Sequence, residues 1–109
     1  MADRADLLQG TLDLLILKAV LPAPLHGWGI SKRIRELSYD VLQVNQGSLY
    51  PALYRLEDRG FLRSSWGISP EGRRAKFYTL SPAGKKHFAE EKANWRLFMS
   101  AVEQILHAS

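Results

Sequence analysis

A mainly α fold with one small β-hairpin is predicted for this 109-residue chain by three observations. Apolar residues recur at helical spacing in several separate stretches. Two short runs rich in aromatic and β-branched residues, 61–66 and 75–80, flank a connection containing Pro70 and Gly72, the pattern of a hairpin with a long turn. The elements also come in a telling order: three shorter helices, the hairpin, then one long helix.

The first helix is expected over 6–21, with Asp3 or Asp6 as its cap and Pro22 and Pro24 as its stop. Its apolar side chains surround most of the axis between Leu14 and Leu21, so it should be buried on several sides. The second is expected over 27–38, with Ile30, Ile34 and Leu37 as its core face and Ser31, Lys32 and Arg35 pointing elsewhere. Residues 39–44 read as a turn. The third helix, about 46–59, carries Leu49, Ala52, Leu53 and Leu56 on one face, with Asn45 as N-cap and Gly60 as terminator. Pro51 is tolerable only because it falls near the helix start, where backbone N–H groups have few partners. Ser81 and Pro82 then open the last helix, as N-cap and first helical residue, and it runs to about His107.

Three helices followed by a hairpin is the plan of a winged helix-turn-helix. The expected organisation is a winged-helix DNA-binding domain over 1–80, with its recognition helix at about 46–59 and its wing at about 61–80. A C-terminal dimerisation helix follows over 81–109.

Charge, through its location more than its size, fits either a polyanionic partner or a merely solvated surface turn. Residues 1–60 carry seven basic and seven acidic side chains. Residues 61–80 carry Arg63, Arg73, Arg74 and Lys76 against Glu71 alone, so most of the net +4 sits in the hairpin. With no cysteine, disulfides and thiolate metal sites are excluded. The longest apolar run in the first helix ends at Lys18, far short of a membrane span. Asp3 and Asp6 stand where a signal peptide would be basic, so the expected location is cytoplasmic. His26, His87 and His107 are scattered, Glu90 and Glu91 point in different directions, and no phosphate loop or metal spacing occurs. Neither enzyme activity nor a cofactor is expected, and His26 is expected to make a structural hydrogen bond at a helix start.

The outer face of the third helix presents Gln46, Gly47, Ser48, Tyr50, Pro51, Tyr54 and Arg55. Small, hydroxyl and aromatic groups there suit a major groove, where they meet base edges, thymine methyls and phosphates. The DNA-contact candidates are Ser31, Lys32, Gln46, Ser48, Tyr50, Tyr54, Arg55, Arg73, Arg74 and Lys76. Two readings compete. One tyrosine, Tyr54 ahead of Tyr50, packs on the wing or the first helix; or the whole module is a winged helix that contacts proteins instead of DNA.

In the last helix Phe88, Trp95 and Val102 recur every seven residues, with Phe98 and Ile105 three residues after the last two. This a/d pattern, widened by Met99 and Leu106, is broad enough to pack on its own domain and on a second chain. Leu8, Leu12 and Leu15 of the first helix are the expected co-partners. Completion of a monomer core by both helices remains the alternative.

Three ordered motifs resemble the PadR family of transcriptional regulators. Leu25-His26-Gly27-Trp28-Gly29-Ile30 is similar to the family's His-Gly-Tyr motif, with Trp28 where tyrosine is usual. Gly47-Ser48-Leu49-Tyr50-Pro51-Ala52-Leu53, with Leu56-Glu57 and Gly60, resembles its recognition helix. Gly72-Arg73-Arg74-Ala75-Lys76-Phe77-Tyr78, followed by Leu80-Ser81-Pro82-Ala83-Gly84, resembles its wing and the exit from it. The single terminal helix is similar to the short-tailed subgroup. The resemblance implies a homodimeric repressor that binds an inverted-repeat operator in duplex DNA and releases it on binding a small molecule. It also implies that Trp95 stacks on a planar aromatic effector at the dimer interface.

Overall fold

The computed structural model describes residues 4–109, with side chains from Gly10 onward, and is built in the order α1 (Arg4–Val20), β1 (Leu25–His26), α2 (Gly27–Leu37), α3 (Gln46–Asp58), β2 (Leu62–Ile68), β3 (Arg74–Leu80) and α4 (Pro82–His107). The expected caps Asp3 and Asp6 and the side chain of Leu8 lie outside the described residues. The helices form where anticipated, to within two residues at either end.

The sheet departs from expectation. The hairpin pairs antiparallel from Leu62↔Leu80 to Ile68↔Arg74, and a third strand joins it, with Leu25 opposite Tyr78 and His26 opposite Phe77. The order is β1-β3-β2. The two residues of β1 are too few to carry an alternating pattern, but they cover the edge of β3 that the hairpin leaves open.

One core joins these elements. Ile16, Leu17 and Val20 of α1 meet Ile30 and Ile34 of α2, Leu49, Leu53 and Leu56 of α3, Leu62 and Tyr78 of the sheet, and Phe88 of α4. All four expected core residues of α3 are buried. Leu37 is not: the body ends before it, and it is more than half exposed.

Local signals set the helix ends. Asn45 Oδ1 accepts from Ser48 N at 2.9 Å and caps α3. At its far end Gly60 adopts φ +82°, while its N–H bonds Glu57 O and that of Phe61 bonds Leu56 O. These two bonds satisfy the last carbonyls in a Schellman closure. Ser81 caps α4 by accepting from Gly84 N at 3.0 Å and donates to Gly60 O, so one hydroxyl joins the end of α3 to the start of α4. Gly84 lies against the carbonyl oxygen of Phe61, and a β-carbon there would collide with it. The first turns of α4 therefore belong to the packed body, with Gly84 and Phe88 buried. The rest of this 26-residue helix, about 39 Å long at 1.5 Å per residue, gives the molecule its 56 × 28 × 25 Å shape.

Candidate nucleic-acid interface

The outer face of α3 is open. Gln46, Gly47, Ser48, Pro51 and Tyr54 are all exposed, beside a helix N-terminus whose first N–H groups are capped by Asn45. Pro51 lies one turn further into the helix than its tolerance would suggest. The helix continues through it, without a donor for the carbonyl of Gly47.

The two tyrosines divide in the opposite sense to the expectation. Tyr54 is the freer, 72% exposed, whereas Tyr50 is 48% exposed. A β-carbon on Gly27 would come within 2.8 Å of the Tyr50 hydroxyl, so the ring lies against the first turn of α2. Glycine at position 27 is what allows that approach, and Tyr50 locks α3 to α2.

Arg55 and Lys76 turn inward, contrary to their placement among outward cations. Arg55 Nη2 lies 3.0 Å from Asp13 Oδ1, across from α1. Burial lifts the Asp13 carboxyl above its ordinary value, and the guanidinium offsets only part of that. Lys76 is on β3 beyond the wing tip, with Nζ 3.1 Å from Glu57 Oε1. Ser64 Oγ donates to the same carboxylate, and this hydrogen bond holds Glu57 below the usual carboxylate range, with Lys76 adding to the effect. A lowered folded value stabilises the fold at neutral pH, and the contribution is lost as pH falls through the carboxylate range. Glu57 therefore fastens the wing to α3. Neither Glu57 nor Asp13 stood out as a site residue in the sequence. The available signals were Glu57 within the family-like motif and Asp13 as a lone charge among leucines.

The wing tip keeps its cations outward. Ser69-Pro70-Glu71-Gly72 makes a tight turn, with Gly72 N bonded to Ser69 O at 2.9 Å and Gly72 at φ +81°. Ser69 N then bonds Arg73 O at 2.7 Å and closes the loop. Proline at the second position and glycine in the left-handed region are what this turn and its bulge demand. Arg73 and Arg74 project from it, both exposed.

On α2, Trp28, Ser31, Lys32 and Arg35 line a shallow recess with Gln43 and Val44. Lys32 Nζ stands 5.2 Å over the Trp28 ring. The residue that departs from the family's tyrosine is thus half exposed beside two cations, not a core residue. His26 stacks on Phe77 at 5.3 Å. Neither of its ring nitrogens has a hydrogen-bond partner, and Glu71 Oε1 stands 3.6 Å from Nε2. Its role is packing between β1 and β3, not the hydrogen bond expected of it.

Of the residues assigned to a dimer, Phe88 is buried in its own domain, and Leu12 and Leu15 are half-buried against the same core. Beyond Phe88, Trp95, Phe98 and Ile105 are exposed, while Met99 and Val102 are partly covered. Among the described residues no group of acidic or histidine side chains could hold a metal. No helix among them is long and apolar enough to cross a membrane.

An exposed polar helix face, a cationic hairpin fastened beside it and a supporting second helix define a winged helix-turn-helix protein that binds DNA. The model of the PadR-like family of transcriptional regulators matches residues 16–90, and this chain belongs to that family. Its members regulate transcription and are not enzymes. A transcriptional regulator from Clostridium thermocellum superposes with a TM-score of 0.82 at 27% identity, over 91% of this chain and 96% of that one. A PadR family regulator from Clostridium difficile gives 0.74 at 29% identity, over 87% of this chain and 97% of the other. A transcriptional regulator of Mycobacterium tuberculosis is 38% identical over 58 residues, 53% of each chain.

Proposed function

We propose that the protein is a homodimeric repressor that grips an inverted-repeat operator. In this reading Gln46, Ser48 and Tyr54 read the major groove, with Tyr50 setting the helix that carries them. Arg73 and Arg74 hold the adjacent backbone, and Ser31 and Lys32 contact phosphates where α2 crosses it. A second copy covers the outer half of α4, and a planar aromatic effector stacks on Trp95 at that seam.

The single observation that carries the reading is the apolar stripe of Trp95, Phe98 and Ile105, each more than two-fifths exposed on a helix that leaves its own domain. So much exposed apolar surface along one helix calls for a partner. Two-fold pairing would set the recognition helices about 34 Å apart, one turn of duplex.

The test replaces Phe98 and Val102 together with glutamate. Charges in the seam should yield monomers by light scattering and greatly weakened binding to a duplex taken from upstream of the gene. A wild-type monomer at micromolar concentration that protects one half-site at full affinity would overturn the dimer. Duplex binding that does not weaken with salt would overturn the wing's grip.

A further inference from the structure

The face of the hairpin that turns Leu62 and Tyr78 into the core carries, toward the wing tip, a feature that the DNA contacts above leave unused. Trp66 stands 60% exposed in the middle of β2, directly opposite Lys76. Lys76 leans away from it to Glu57. The neighbouring cation on the same face, Arg74, leans back instead: its guanidinium carbon lies 4.5 Å from the centre of the Trp66 ring. Ile68, opposite Arg74, extends this apolar strip to the end of the ladder.

Burial does not account for the tryptophan, since most of its surface meets solvent. Stacking does. A guanidinium is flat, carries its five N–H donors in its plane and is weakly hydrated on its faces. An aromatic ring under one face draws on the cation–π attraction and leaves the donors free at the edge. A long side chain so held has fewer rotamers to lose when it meets a phosphate.

We propose that Trp66 is a positioning residue for DNA binding: its indole carries the Arg74 guanidinium and presents its edge to the duplex backbone. The inference rests on the reading that the wing grips DNA. It adds that the wing's strength depends on an aromatic residue making no base-specific contact. Loss of the ring should therefore weaken binding to any sequence and leave operator preference unchanged.

The experiment compares Trp66→Leu, Trp66→Phe, Arg74→Ala and the Trp66→Leu/Arg74→Ala pair on the upstream duplex and on a duplex of scrambled sequence. Trp66→Leu should weaken both by about three- to tenfold, the range expected for the ordering of one long side chain on binding. Trp66→Phe should restore most of the loss, which a merely space-filling role would not require. In the Arg74→Ala background Trp66→Leu should cost nothing further. Without DNA, Arg74→Ala should raise acrylamide quenching of tryptophan emission, as one indole face is uncovered. Full additivity of the two changes, or failure of phenylalanine to rescue, overturns the positioning role. Arg74→Ala without effect on either duplex instead sinks the wing-grip reading and the inference with it. A loss for Arg74→Ala alone, with Trp66→Leu neutral, overturns the inference and leaves that reading intact.

Discussion

Leu53 and Phe98 each sit on an apolar stripe of a helix, yet one is 1% exposed and the other 61%. The body formed by α1 to β3 and the first turns of α4 closes on itself. Among the described residues each of its helices, and strands β2 and β3, puts apolar side chains into the shared core, and the two-residue strand β1 covers the edge of β3, although Leu37, Trp66 and Ile68 stay exposed. The outer part of α4 repeats the same pattern, yet among the described residues Trp95, Phe98 and Ile105 are left exposed. An amphipathic pattern thus says which side of a helix needs cover, not whether the same chain provides it. The body can be explained from one copy. The outer helix cannot.

The largest effect is expected at the joint between the two regions. Gly84→Ala puts a methyl group against the backbone carbonyl of Phe61, which cannot move without disturbing the cap shared by Ser81, Gly60 and Gly84. Overpacking against backbone should cost roughly 4 kcal/mol, near the upper end for one substitution. Urea denaturation of the variant measures this. An unchanged midpoint would mean that α4 can pivot off the body freely, and the joint would no longer separate a rigid region from a hanging one.

A matched pair tests the comparison itself. Leu53→Ala leaves a cavity in the shared core and should cost about 3 kcal/mol. Phe98→Ala removes a larger side chain from an exposed site and should change the stability of a dilute, dissociated chain by less than about 0.5 kcal/mol. At high concentration, if a second copy covers α4, the Phe98 variant should fall behind the wild type, because association stabilises whatever it binds. Melting followed over a hundredfold range of concentration distinguishes these. A Phe98→Ala loss as large when dilute as when concentrated would put Phe98 in the protomer's own core.

What was legible in the sequence follows the same division. Helix spacing, the caps Asn45 and Ser81, the terminator Gly60 and the core face of α3 depend on neighbours three or four residues away, and they were read correctly. The strand β1 was missed because its partner, β3, lies far along the chain. Leu37 was misplaced because spacing gives a side and not the distance at which the neighbouring elements end. Arg55 and Lys76 looked like DNA contacts because counting charges does not reveal which acid each one faces. Those acids are Asp13, 42 residues from Arg55, and Glu57, 19 from Lys76. Tyr50 and Tyr54 share one face of one helix. Only the position of Gly27 on α2 decides which of them packs.

The smallest effect concerns two helix ends inside the self-sufficient body. The terminations of α2 and α3 make the same pair of bonds. In α3 the left-handed position is Gly60. In α2 it is Tyr39, at φ 52°, with Tyr39 N bonded to Glu36 O at 3.1 Å and Asp40 N to Arg35 O at 2.8 Å. Asp40 is also left-handed, at φ 65°, but a short polar side chain tolerates that region, and its carboxylate lies 3.7 Å from Arg35. Tyr39 has no such compensation. Its ring is 91% exposed, so no burial offsets the crowding between its β-carbon and the backbone. Tyr39→Gly keeps both N–H donors, removes the crowding and adds some freedom to the unfolded chain, which opposes the gain. The net should be a stabilisation of about 1 kcal/mol, seen as a higher urea midpoint at unchanged slope. Tyr39→Ala retains a β-carbon and should gain almost nothing. Equal gains from glycine and alanine would show that the exposed ring, not the backbone, is the burden. The two helix ends would then differ in side chain alone.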